Sequence, residues 1–162
     1  MRNVLVAGFV AALALSVRAE EKGELATKMK EAKISLEKGI AASKASGTPI
    51  SAKYEVENGK LQLSVYTAKG DSFSEVIVDH KTGKVAKTEP ITGGDDLAAA
   101  KSQNEAMSKA KTSLEGAVSK AVKANKGYKA VSAMPSAKDG HAVAEITLMK
   151  GADSKTVSEQ LD

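Results

Sequence analysis

"YEVENGKLQLSVY", residues Tyr54 to Tyr66, decides how the chain reads. Tyr54 and Val56 alternate with charged residues, Asn58-Gly59 follows, and Leu61, Leu63 and Val65 alternate with polar ones. A period of two sends successive side chains to opposite faces of a strand. Asn-Gly between two such runs signals a tight hairpin, because both central residues of that turn need positive φ. Working outward, Ile50 to Val56 is predicted as one strand and Leu61 to Val65 as its partner. After a loop at Lys69-Gly70-Asp71, Phe73 to Val78 is predicted as a third, making a three-stranded antiparallel meander.

Upstream the period changes to that of a helix, with Met29, Ala32, Leu36, Ile40 and Ser43 on one stripe. The same organisation then returns. Ala32-Lys33-Ile34-Ser35-Leu36-Glu37 is matched by Ala110-Lys111-Thr112-Ser113-Leu114-Glu115, Asn58-Gly59 by Asp139-Gly140, and Lys69-Gly70 by Lys150-Gly151. The second stripe is Met107, Ala110, Leu114, Ala117, Val118 and Ala121, on a long helix expected to kink near Thr112, where Thr112-x-x-Glu115 resembles a capping box. Asp95 or Gly94 is expected to cap that helix at its start, and Gly47 and Gly127 stand where the helices should end. Strands are predicted at Tyr128 to Met134, Ala142 to Met149 and Thr156 to Leu161, the first of them stopping at Pro135 or lying at an edge. A fourth short strand, Val85 to Lys87, is expected in the first copy only. The expected fold is therefore α+β: two tandem units, residues 20–88 and 95–162, each a helix packed on a three-stranded antiparallel sheet, joined by a linker at 89–94.

The opening stretch, residues 1–19, carries Arg2, an apolar run from Val4 to Leu15, and Val17-Arg18-Ala19 with Val and Ala at the minus-three and minus-one positions. That is the pattern of a secretory signal peptide cut after Ala19, and the apolar run falls short of the roughly 20 residues a membrane span requires. The expected location is periplasmic or secreted, with no stable membrane insertion after cleavage. Arg2 and Arg18 are the only arginines, so cleavage leaves 22 Lys against 20 acidic residues, and the net charge drops from +4 to +2. Evenly interleaved lysines without an arginine fork make a solvated surface, and nucleic acid is not an expected partner. With no cysteine, the fold must rest on apolar packing, supplied mostly by Ala, Val and Leu.

"ISLEKGIAASK", "YEVENGKLQLSVY" and "SEVIVDHKTGKVAK" together resemble the PepSY domain family, and the Asp-x-x-Thr-Gly-Lys-Val ending is the most specific phrase. The second unit keeps "TSLEGAVSKA" and the strand rhythm without Thr-Gly-Lys-Val, as a divergent, truncated copy. The resemblance implies an exported module, often tandem, that restrains peptidases or serves as a sensory and interaction domain in the bacterial cell envelope. It brings no catalytic, cofactor or metal positions.

Three short motifs invite a catalytic reading. Ser35-x-x-Lys38, Ser102-x-Asn104 and Lys81-Thr82-Gly83 carry the letters of penicillin-binding serine enzymes, but Lys-Thr-Gly precedes Ser-x-Asn here and the serines fall in different units. Asp79 to Gly83 reads instead as a turn between strands. His80 and His141, the only histidines, are expected to face water, and two scattered histidines without cysteine make a poor metal set. Asp95-Asp96 suits a helix N-terminus better than calcium. Met29 and Met107 are in register with the buried stripes and read as core. The expected function is a non-enzymatic interaction or regulatory module with a protein or peptide partner and no cofactor. The alternative is a small-ligand or sensory protein with a crevice between the units.

Exported chain is expected to begin at Glu20 on N-terminal sequencing. Recovery of Met1 in exported material would overturn the signal-peptide reading.

Overall fold

The fold was analysed in a computed structural model that describes residues 19–162. Apart from Ala19, the predicted signal peptide lies outside the described residues. The elements run α1 (Ala19–Lys28), a 3-10 turn (Met29–Glu31), α2 (Leu36–Ser43), a 3-10 turn (Lys44–Ser46), β1 (Thr48–Glu57), β2 (Lys60–Lys69), β3 (Ser72–Val78) and β4 (Val85–Ile91). They continue with α3 (Gly94–Ser108), α4 (Leu114–Ala124), β5 (Lys129–Lys138), β6 (His141–Lys150) and β7 (Asp153–Gln160). The class is α+β, with a seven-stranded antiparallel sheet in the order β4-β3-β2-β1-β5-β6-β7.

The Tyr54–Tyr66 hairpin forms as expected. Glu57 pairs with Lys60 across Asn58-Gly59, and both turn residues have positive φ, 50° and 74°. Asp139 and Gly140 repeat the turn, at 51° and 82°. The ladders repeat as well. Ala52 faces Val65 and Ala133 faces Ile146; Val65 faces Val76 and Ile146 faces Val157. Each later residue lies 81 positions on (133 − 52, 146 − 65, 157 − 76), and the bulges at Ile50 and Val131 keep the same offset (131 − 50).

Three expectations change. The sheets of the two halves are joined, because β1 pairs antiparallel with β5 through Ala52–Ala133 and Lys53–Ser132. Ala52 thus faces the residue in its own equivalent position. Next, the linker is largely regular structure: β4 runs on to Ile91 and pairs with β3 throughout, with Pro90 accommodated because β4 is an edge strand, and α3 already begins at Gly94 behind an N-cap at Gly93. Finally, β5 passes through Pro135, which pairs with Ala144 of β6 and lies beyond the last β1–β5 pair.

The helices break where serine caps them. Ser35 is extended and its Oγ accepts the Lys38 amide at 3.3 Å, so α2 starts at Leu36 and leaves Met29 and Ala32 in a separate turn. Ser113, one residue after the expected kink, accepts the Gly116 amide at 3.1 Å. This break is complete, since α3 and α4 lie on opposite faces of the sheet. Leu36 and Ile40 of α2, with Leu114, Val118 and Ala121 of α4, are buried against Ala52, Leu63, Val65, Ala133 and Ile146. Ala100 of α3 packs with Tyr66, Ala68 and Phe73, whose side chains leave the sheet on the other side. Both stripe methionines are only partly buried. A backbone strap ties each α-helical break to a strand end: the Lys33 and Ile34 amides donate to the His80 carbonyl, and those of Lys111 and Thr112 donate to Leu161.

Leu36→Ala or Leu114→Ala should cost about 2–5 kcal/mol, as full burial of each side chain demands. Urea midpoints unchanged in both variants would remove these residues from the core.

Candidate functional site

Gly83 of Lys81-Thr82-Gly83 lies beside Ile34, the residue before Ser35, since a Cβ on Gly83 would lie 3.5 Å from Ile34 Cγ2. Ser102 sits in α3, on the far face. The local chemistry of the turn is structural. Asp79 Oδ1 accepts the amides of Lys81 at 2.8 Å and Thr82 at 3.0 Å, and these bonds, that of Thr82 foremost, hold its carboxyl below the usual range. The Gly83 amide donates to the Asp79 carbonyl, and Gly83 takes φ 76°. Ser35 Oγ is turned to the α2 N-terminus as a cap acceptor.

His141 Nδ1 lies 3.0 Å from Asp162 Oδ2 at the surface, as its position after a turn suggested. His80 departs from expectation: it is half-buried, with Nδ1 enclosed and without a hydrogen-bond partner, while its carbonyl accepts the amides of Lys33 and Ile34. Asp95 and Asp96 occupy the first turn of α3, where negative charge complements the helix dipole. Among the described residues, no group of three or more His, Cys, Asp or Glu side chains is placed to hold a metal ion. No described helix is long and apolar enough to cross a membrane.

A polar row on the α3-bearing side of the sheet escaped the sequence reading. Lys53 Nζ lies 2.6 Å from Glu55 Oε2 and 6.0 Å from the Tyr66 ring centroid, while Ser64 Oγ donates to Glu55 and the Tyr66 hydroxyl to Glu75. From above, Gln103 of α3 accepts the Ser51 hydroxyl at 2.7 Å. Burial pushes the Tyr66 phenol far up, helped by the carboxylates of Glu75, Glu55 and Asp96, so Tyr66 acts here as a donor. The cavity among Tyr66, Asp96, Ala99, Ala100 and Gln103 measures about 10 Å³, a single water's worth, against roughly 300–1,000 Å³ for sites that hold a ligand. Strand alternation could have revealed this row, but it required knowing that α3 covers the second face.

At the opposite end, Lys138, Asp139, His141, Val143, Ser158 and Gln160 line an open depression of about 390 Å³. Val143 is its one aliphatic lining residue, whereas ligand pockets are typically walled by hydrophobic and aromatic side chains. The remaining features are the sheet edges. Among the described residues β4 pairs only with β3, and β7 only with β6. Lys53 of β1 and Lys60 of β2 lie in interior strands.

No protein-family model, curated protein or solved structure matches this chain.

Gly83→Val should destabilise the fold by about 1 kcal/mol or more, because a branched residue is forced to positive φ, while Lys81→Ala is neutral. Ser35→Ala should cost about 1 kcal/mol as a lost cap. Equal and large losses for Gly83→Val and Lys81→Ala, or labelling of Ser35 by a fluorescent β-lactam, would restore the catalytic reading.

Proposed function

We propose that the chain is an exported, non-enzymatic module of the PepSY kind, built as two tandem units and acting by binding a protein or peptide, with peptidases of the cell envelope as the partner class. The observation that carries this reading is the outer edge of β4, unpaired among the described residues, since a one-sided strand presents backbone groups and side chains that an extended segment can join. The equal registers of the two halves, offset by 81 residues, support the tandem organisation (146 − 65). The Asp79–Gly83 turn supports the PepSY resemblance through backbone geometry alone. Along β4, Val85 is 42% exposed and Lys87 and Glu89 form a surface ion pair, leaving side chains for contact where Pro90 thins the row of amides.

The small-ligand reading has less support. Its crevice between the halves would lie where β1 pairs with β5 and α2 packs against α4.

The chain used as bait in a periplasmic extract should retain a peptidase and lower its activity on addition. Lys87→Glu should slow association, more at low salt than at high, because rim charges steer encounter. Failure to retain any envelope protein, or retention without effect on its activity, would refute the proposal.

A further inference from the structure

We infer that β7 is a self-association edge, at which two copies of this chain pair antiparallel about a two-fold axis through Val157. The first half supplies the geometric precedent. There the outer side of β3 is occupied by β4, with Val76 facing Thr88. β7 stands in the equivalent place, Val157 facing Ile146 as Val76 faces Val65, and among the described residues its outer side is unpaired. A docked strand there needs no rearrangement of the sheet.

The occupant follows from charge. Lys155, Val157 and Glu159 pair with Leu148, Ile146 and Ala144, so they share the face that carries α2 and α4. A strand running antiparallel to β7 meets Glu159 first, then Val157, then Lys155. It is matched when it reads base, any residue, apolar, any residue, acid. Lys155-Thr156-Val157-Ser158-Glu159 is itself that sequence. Paired with a second copy in this register, Lys155 faces the second copy's Glu159 twice over, Val157 faces Val157, and Thr156 faces Ser158 on the other side of the sheet. Opposite charges directly across an antiparallel pair stabilise it, and like charges do the reverse.

Within one chain the two charges are already steadied. Lys155 Nζ lies 4.3 Å from the Tyr128 ring centroid, and Glu159 Oε2 lies 2.7 Å from Lys120 Nζ. Both are held at the edge by partners on the same molecule.

The other edge has a shorter matching phrase, Lys87-Thr88-Glu89, but Pro90 beside it has no amide to give and the β3–β4 ladder is irregular between Ile77 and Val78. β7 has neither proline nor register shift. One receptive edge and one blunted edge give a closed dimer, where two receptive edges would give a filament. This inference is separate from the proposed heterologous partner, which the β4 variant tests.

Sedimentation of the purified chain over a concentration series should show a monomer–dimer equilibrium. Lys155→Glu or Glu159→Lys alone should raise the dissociation constant about tenfold or more, and the double exchange Lys155→Glu/Glu159→Lys should bring the dimer back. Circular dichroism melts establish that each variant is folded. Because the chain has no cysteine, Val157→Cys provides a single thiol on the axis, and a short bis-maleimide should join it into dimer while leaving Thr88→Cys monomeric. A chain that is monomeric at every concentration, a dimer indifferent to single charge reversals, or equal cross-linking of the two thiols overturns the inference. Cross-linking of Val157→Cys only to proteins of an added extract also overturns it, and assigns the edge to a different partner.

Discussion

Ala52 against Ala133 is the contact on which the rest of the sheet depends. The two residues are fully buried, sit at equivalent places in the two halves, and form with Lys53–Ser132 the only registered pairing between β1 and β5. Small side chains matter here because α2 and α4 lie together over the seam. Leu36, Ile40, Leu114 and Val118 reach one continuous core through the space that alanine leaves. A larger residue at either position would have to displace a helix, since interiors are packed at crystal-like density. The seam joins like to like, as a two-fold interface does between subunits. Lys44 and Glu115 add an ion pair between α2's C-terminal turn and the first turn of α4.

The two faces of the sheet divide the chemistry. The face under α2 and α4 is apolar almost throughout, whereas the face under α3 mixes Phe73, Tyr66 and Ile50 with Ser51, Lys53, Glu55 and Gln103. On the α3 side Ser51, Ser64 and Tyr66 spend their hydroxyls on Gln103, Glu55 and Glu75, and burial drives the Tyr66 phenol up; on the other face Tyr54, likewise driven up by burial, spends its hydroxyl on the Ile34 carbonyl. Such groups orient helices and strands and are poorly placed to react.

Local patterns carried much of this architecture. The Asn58-Gly59 and Asp139-Gly140 hairpins, the strand alternation and the burial of Leu36 and Leu114 follow from turn chemistry and periodicity, which act within a few residues. What was not legible depends on contacts between distant segments. Nothing in Ala52 or Ala133 alone announces that they pair, and nothing in Lys53 marks β1 as interior. The helix breaks were half-legible: Ser-Leu-Glu occurs at both, yet an apolar stripe running through Met29, Ala32 and Leu36 outweighed the serine cap in the reading. Pro135 misled in the same way, because proline's cost depends on which side of a strand has a neighbour. The site reading fared accordingly: the Asp79–Gly83 turn was visible locally, whereas the row joining Ser51, Tyr66 and Gln103 exists only once α3 is laid on the second face.

The seam also sets the order in which the chain can acquire its shape. All other ladders, β1–β2, β2–β3, β3–β4, β5–β6 and β6–β7, join strands that follow one another directly, whereas β1 must wait for a partner 81 residues away (133 − 52). Loop-closure entropy makes such a distant pairing the slow event, and local hairpins precede it. The first half can therefore complete its meander before β5 exists, and throughout that interval its β1 edge is bare. Misassembly between two nascent chains would use the same alanine contact that, in the finished molecule, holds the halves together.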